Sequence, residues 1–100
     1  MKERVRAALF ELLPSARSTL KAVAHELNTS PRTLQRRLAE EGLSYRYVLD
    51  NTRAQLAKHY LKRTQLKKAE IAFLLGYEDP NSFYPAFRSW TGTTPGVQIR

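Results

Sequence analysis

Residues 20–38 constrain the fold of this chain more than any other stretch. Leu20, Val23, Ala24 and Leu27 are apolar at helical spacing, and a second helical pattern follows on Leu34 and Leu38. Between them, Asn28 suits the left-handed geometry that ends a helix, Ser30 is a good N-cap, and Pro31 fits the first helical position. The predicted unit is a short helix over about 19–27, a tight turn, and a third helix ending near Gly42. Its outer face is basic. That is the layout of a helix-turn-helix that lays its second helix in the DNA major groove.

The remaining pattern is also helical. Val5, Ala8, Leu9 and Leu12 predict a first helix over 2–13, stopped by Pro14, with residues 14–18 as a connector. Ser44 caps a long fourth helix reaching about Arg63, with Val48, Leu49, Leu56, Ala57, Tyr60 and Leu61 on its apolar face. A fifth helix over 68–75 turns Ile71, Ala72 and Leu75 inward and ends at Gly76. Asp79 and Pro80 open a sixth, with Phe83, Phe87 and Trp90 as its buried stripe, ended by Gly92. Thr94-Pro95 can start a short terminal helix. No stretch alternates like a strand, so the expected fold is all-α with about seven helices.

The second half repeats the first. Val23-Ala24 aligns with Ile71-Ala72, Leu27 with Leu75, Asn28 with Gly76, Ser30-Pro31 with Asp79-Pro80, and Leu34 and Leu38 with Phe83 and Phe87. The expected organisation is one DNA-binding domain over 1–100. It comprises a helix-turn-helix subdomain over 1–43, a linker helix over 44–63, and a second such subdomain over 64–100. A linker helix of some twenty residues spans roughly 30 Å. Adjacent major-groove faces on one side of B-DNA recur about every 34–36 Å, so the helix is a suitable spacer, whether or not it also buries a shared core.

The third helix carries the chemistry. With Leu34 and Leu38 inward, Arg32, Arg36 and Ala39 face outward, with Gln35 on the flank. Arginine reads guanine through O6 and N7, and glutamine reads adenine through N6 and N7. Small Ala39 lets the helix sit deep. Thr33 and Arg37 lie at the sides, where phosphates would be. The same projection turns Asn81, Pro85 and Arg88 of the sixth helix outward, with Tyr84 on the flank. Pro85 stands where Arg36 stands in the first copy and offers no donor. The second copy is therefore expected to read bases less and to hold phosphates through Ser82 and Arg88.

Composition narrows the alternatives. Seventeen Lys and Arg against nine Asp and Glu leave a net charge of +8, which favours a polyanionic partner. There is no cysteine, so disulfides and thiolate chemistry are excluded. The longest apolar run, Ile71 to Leu75, is far too short to cross a bilayer, and residues 1–5 lack a signal-peptide apolar region. His25 and His59 have no metal-ligand partner at helical spacing. No nucleophile elbow or phosphate-cradling glycine loop is present. No cofactor, metal, membrane or catalytic role is expected. Glu40 and Glu41 read as a solvated face, and Tyr45, Tyr47, Tyr60 and Trp90 as packing residues. Two other readings are a non-specific nucleic-acid binder acting by charge alone, and a protein-interaction module.

The motifs resemble the C-terminal DNA-binding domain of the AraC/XylS family of bacterial transcription regulators. The resemblance runs through residues 30–38 with Glu41-Gly42, Arg53 to Leu61, Ala69 to Ala72, and Leu75-Gly76-Tyr77. It continues through Ser82-Phe83, Ala86-Phe87-Arg88, Trp90-Thr91-Gly92 and Pro95. It implies seven helices and two homeodomain-like helix-turn-helix subdomains joined by a long helix, acting as a monomeric cytoplasmic module on the nucleoid. Base-contacting positions then fall on Arg32, Gln35 and Arg36, and on Asn81, Tyr84 and Pro85. Where the family usually carries arginine, this chain has Pro85, and residues 95–100 depart from the common Pro-x-x-Tyr-Arg ending. Double-stranded promoter DNA is the implied partner, with RNA polymerase as a further one. Effector binding and dimerisation are expected on an N-terminal domain outside these residues, so the chain reads as a fragment of a longer regulator.

Overall fold

The computed structural model describes residues 1–62, 65–77 and 79–91; within these, the side chains of residues 68, 87 and 89–91 are left aside. The described elements are α1 (Lys2–Leu12), a 3-10 turn (Leu13–Ser15), α2 (Leu20–Glu26), α3 (Pro31–Glu40), α4 (Tyr45–Lys62), α5 (Lys68–Leu74) and α6 (Pro80–Thr91). The fold is all-α, as the periodicity predicts. The expected helix end at Gly92 and the terminal helix at Thr94-Pro95 lie outside the described residues.

Local chemistry explains where these helices start. The Thr19 hydroxyl accepts from the Ala22 amide, the Ser30 hydroxyl from Thr33, and the Ser44 hydroxyl from Tyr47, each satisfying an otherwise orphaned helix N–H. Asp79 accepts from the Asn81 amide at the start of α6. Pro31 occupies the first helical position of α3.

One motif ends α2, α3 and α5. In each, a residue of positive φ donates back three residues and the next residue donates back five. Asn28 (φ 55°) donates to His25 and Thr29 to Ala24; Gly42 (φ 75°) donates to Ala39 and Leu43 to Leu38. Gly76 (φ 87°) donates to Phe73 and Tyr77 to Ala72. These are Schellman turns, which satisfy carbonyls that the helix leaves open. The match between the turns at Asn28 and Gly76 gives the repeat seen in the sequence a backbone counterpart. A fourth positive-φ turn has no such signal in the sequence. The connector after α1 passes through Ala16 (φ 57°), with Ala16 donating to Leu13 and Arg17 to Leu12. Alanine carries a cost of about 1–2 kcal/mol there.

The apolar residues fall into two clusters. The first gathers Val5, Leu9, Leu12 and Leu13 with Val23, Leu34, Leu38, Val48 and Leu49. The second gathers Ala57, Leu61, Ile71, Ala72, Leu75 and Phe83. They share no buried member; half-buried Leu56 touches both. Helix α4 runs through the two, its first half in one cluster and its last turns in the other. Eighteen residues make it about 27 Å long.

Two expectations need amendment. Tyr47 was expected to pack, but it is 51% exposed, because the apolar stripe of α4 runs through Val48 and Leu49 and leaves position 47 off it. Glu41 is exposed but not merely solvated, since it pairs with the Met1 ammonium at 3.0 Å, which holds its carboxyl below the usual value. The expected stripe of α6 is fully buried at Phe83, whereas the side chains of Phe87 and Trp90 lie outside the described set.

Candidate nucleic-acid interface

Leu34 and Leu38 are fully buried on the inner side of α3. Each such burial stabilises by roughly 1.5–3 kcal/mol and so holds the opposite face in a fixed orientation. That face presents Arg32, Gln35, Arg36 and Ala39, all exposed, with Arg37 exposed beside them. No ion pair among the described residues involves Arg32, Arg36 or Arg37. Their donors are open to a ligand. Thr33 is half-buried, and its hydroxyl accepts from that of Ser30 at 2.9 Å, which ties it to the cap.

The second copy is built alike but dressed differently. Phe83 is fully buried, and Asn81, Ser82, Pro85 and Arg88 are exposed. Pro85 lies inside α6 and lacks an N–H to return to the helix. Tyr84 is half-buried, its ring 5.7 Å from that of Phe83. Part of that side chain therefore serves the core rather than the outer face.

Two features escaped the sequence pattern. Exposed Tyr47 lines a shallow depression with Ala39, Gly42, Leu43 and Ser44, directly beside the outer face of α3. Arg53 is 8% exposed, inside the apolar stripe of α4. Its Nε–H donates to the Leu75 carbonyl at 3.0 Å and its Nη2 to the Ser18 hydroxyl at 3.2 Å, while its guanidinium carbon stands 4.5 Å from the Tyr77 ring centre. Around it, the Tyr45 hydroxyl donates to the Ser18 carbonyl. Burial pushes the Tyr45 phenol up to about 12 and also raises that of Tyr77, with the Arg53 charge opposing both shifts. The spacing of Val48, Leu49, Thr52 and Leu56 puts position 53 on the buried side, and that was the available signal.

Paired helix-turn-helix units with an exposed basic helix define a nucleic-acid-binding domain. Comparison with known proteins makes this specific. Residues 23–99 match the family described as "Helix-turn-helix domain". The ornithine utilization regulator of Pseudomonas aeruginosa is 50% identical over 76 residues, which are 76% of this chain and 22% of that protein. The transcriptional regulator VirS of Mycobacterium tuberculosis is 39% identical over 95 residues, 95% of this chain and 28% of that protein. The chain thus spans about a quarter of the length of these relatives. The C-terminal domain of AraT, a response regulator from Geobacillus stearothermophilus, superposes with a TM-score of 0.85 at 32% identity, over 99% of this chain and 83% of that one. The chain belongs to the AraC-type helix-turn-helix family of DNA-binding transcription regulators.

Proposed function

We propose that this domain binds double-stranded DNA sequence-specifically as two subdomains, 1–43 and 64–100, on the linker helix 44–63. In this reading α3 and α6 enter adjacent major grooves and α3 dominates base readout. The observation that carries it is the outer face of α3, where Arg32, Gln35 and Arg36 are all exposed over fully buried Leu34 and Leu38. These are the side chains that match guanine and adenine edges. With a longest dimension of 40 Å, the molecule is long enough for its two units to reach groove faces about 34–36 Å apart. Asn81 and Tyr84 are the base-facing residues of α6, a smaller set because Pro85 donates nothing. Thr33, Arg37, Ser82 and Arg88 take phosphates, joined by Tyr47 through its hydroxyl. The domain acts as a monomer on cytoplasmic, nucleoid DNA.

The test is Arg36→Ala, read against duplexes selected from a random pool. The expected outcome is a loss of about 1–3 kcal/mol and relaxed choice at one base pair. Equal weakening on every sequence, with a salt slope smaller by about one, would make Arg36 a phosphate contact and refute its role as a base reader.

A second reading concerns a protein partner. Phe10 (47% exposed) and Phe73 (63% exposed) stand off both recognition helices, and Phe10 borders a groove of about 450 Å³ with Leu13, Leu56, His59 and Tyr60. This surface supports contact with RNA polymerase or with a regulatory domain of the full protein. Capture of purified polymerase subunits without DNA, abolished by Phe10→Asp, is the expected result; capture unaffected by that change would reject this surface.

A further inference from the structure

We infer that Arg53 is the positioning residue that sets the spacing and phase of the two recognition helices. This inference rests on the two-groove reading for its functional consequence, though not for its geometry.

The two apolar clusters share no buried residue; half-buried Leu56 touches both, and buried Leu13 of the first approaches the Gly76 turn of the second. The backbone link is α4, and helices of this length bend gently. A second point of attachment, off the helix axis, is needed to fix rotation as well as separation. The structure has such a point where the connector after α1 meets the turn after α5. A Cβ placed on Gly76 would lie 3.0 Å from the Leu13 carbonyl oxygen and 3.4 Å from Nη2 of Arg53. Arg53 sits at this seam and bonds to both sides. Ser18, thirty-five residues before it, immediately precedes the cap of α2; Leu75, twenty-two residues after it, is the C-cap of α5. One guanidinium therefore ties the start of the first helix-turn-helix to the turn of the second.

Only arginine suits this position. Its planar fork points donors in two directions at once while its face stacks on Tyr77; a lysine ammonium offers neither the fork nor the face. A group that merely satisfied a buried carbonyl would need one bond, and Arg53 makes two to opposite subdomains of the fold plus the ring contact. Fixing phase matters because each base pair turns the groove by about 34–36° and advances it about 3.4 Å. A small rotation of α6 about α4 shifts its outer face from one base step to the next.

The native chain has no cysteine, so spin labels can be attached through Glu40→Cys on α3 and Ser82→Cys on α6. Pulsed electron-spin resonance on the free protein then reads the distance between the two helices. Arg53→Met is expected to shift or broaden that distribution, Arg53→Lys to do so as well, and Ser18→Ala to a smaller degree. In parallel, unlabelled proteins with native Glu40 and Ser82 are titrated with duplexes carrying one-base-pair insertions or deletions between half-sites. The wild type should lose affinity about tenfold per step, the order of one lost base-pair contact set. Arg53→Met should flatten or displace that profile without changing affinity for the first half-site alone. A folded Arg53→Met protein with the wild-type distance distribution and spacing profile overturns the inference. If Arg53→Met does not fold, unchanged distance and spacing in Ser18→Ala overturn it instead. A flat wild-type spacing profile alongside an altered distance distribution supports the pin and overturns the two-groove reading.

Discussion

Replacing Gly76 by alanine should cost far more stability than replacing Gly42, although both close the same kind of turn. Each glycine has positive φ, 75° at Gly42 and 87° at Gly76. A Cβ in that region costs about 1–2 kcal/mol, and the stiffer unfolded chain returns about 0.4–1 kcal/mol. Gly42→Ala meets nothing within 4 Å, so its net cost should stay near ~1 kcal/mol or below. Gly76→Ala places its methyl 3.0 Å from the Leu13 carbonyl oxygen and 3.4 Å from both Leu13 Cδ2 and Arg53 Nη2. A backbone oxygen cannot rotate away, so the seam between the two units must open. Overpacking of this kind adds about 1–3 kcal/mol, for a total of roughly 2–4 kcal/mol. Urea unfolding followed by far-ultraviolet circular dichroism measures both variants. For a domain of this size the difference should also lower the melting temperature by about 4–8 °C per kcal/mol. Equal destabilisation by the two substitutions would refute the claim that the second turn is pressed against the first unit.

Further outcomes follow from the same geometry. The Tyr45 phenol is held neutral by burial up to about 12, against an ordinary value of 10.0, so its contribution is fully present below pH 10 and is lost as pH rises toward 12. Alkaline unfolding titrations should lose that part of their slope in Tyr45→Phe, and an unchanged slope would mean that Tyr45 is not the group responsible. Pro85→Arg restores a backbone donor inside α6 and should raise stability by up to ~3 kcal/mol in chemical denaturation. The same substitution should tighten DNA binding without altering choice at the first half-site; unchanged affinity would show that α6 does not approach bases at that position.

Much of this protein was legible in its sequence because the deciding interactions are local. Ser30-Pro31, Asn28, Gly42, Gly76 and Asp79-Pro80 set helix ends through contacts spanning two to five residues. The 3.6-residue period then separates Leu34 and Leu38 from Arg32, Gln35 and Arg36 without reference to the rest of the chain. Tertiary structure decided what depends on distant partners. Ala16 accepts a left-handed turn because the chain must swing from α1 toward α2, and alanine gives no warning of it. Tyr84 turns partly inward because Phe83 and the second core lie beneath it. Helical spacing places Arg53 on the apolar side of α4, but its partners Ser18, Leu75 and Tyr77 converge on it from 35, 22 and 24 positions away, where no local pattern reaches. Desolvating a guanidinium is tolerable only where its hydrogen bonds are met, and those partners come together only when both halves have folded onto α4.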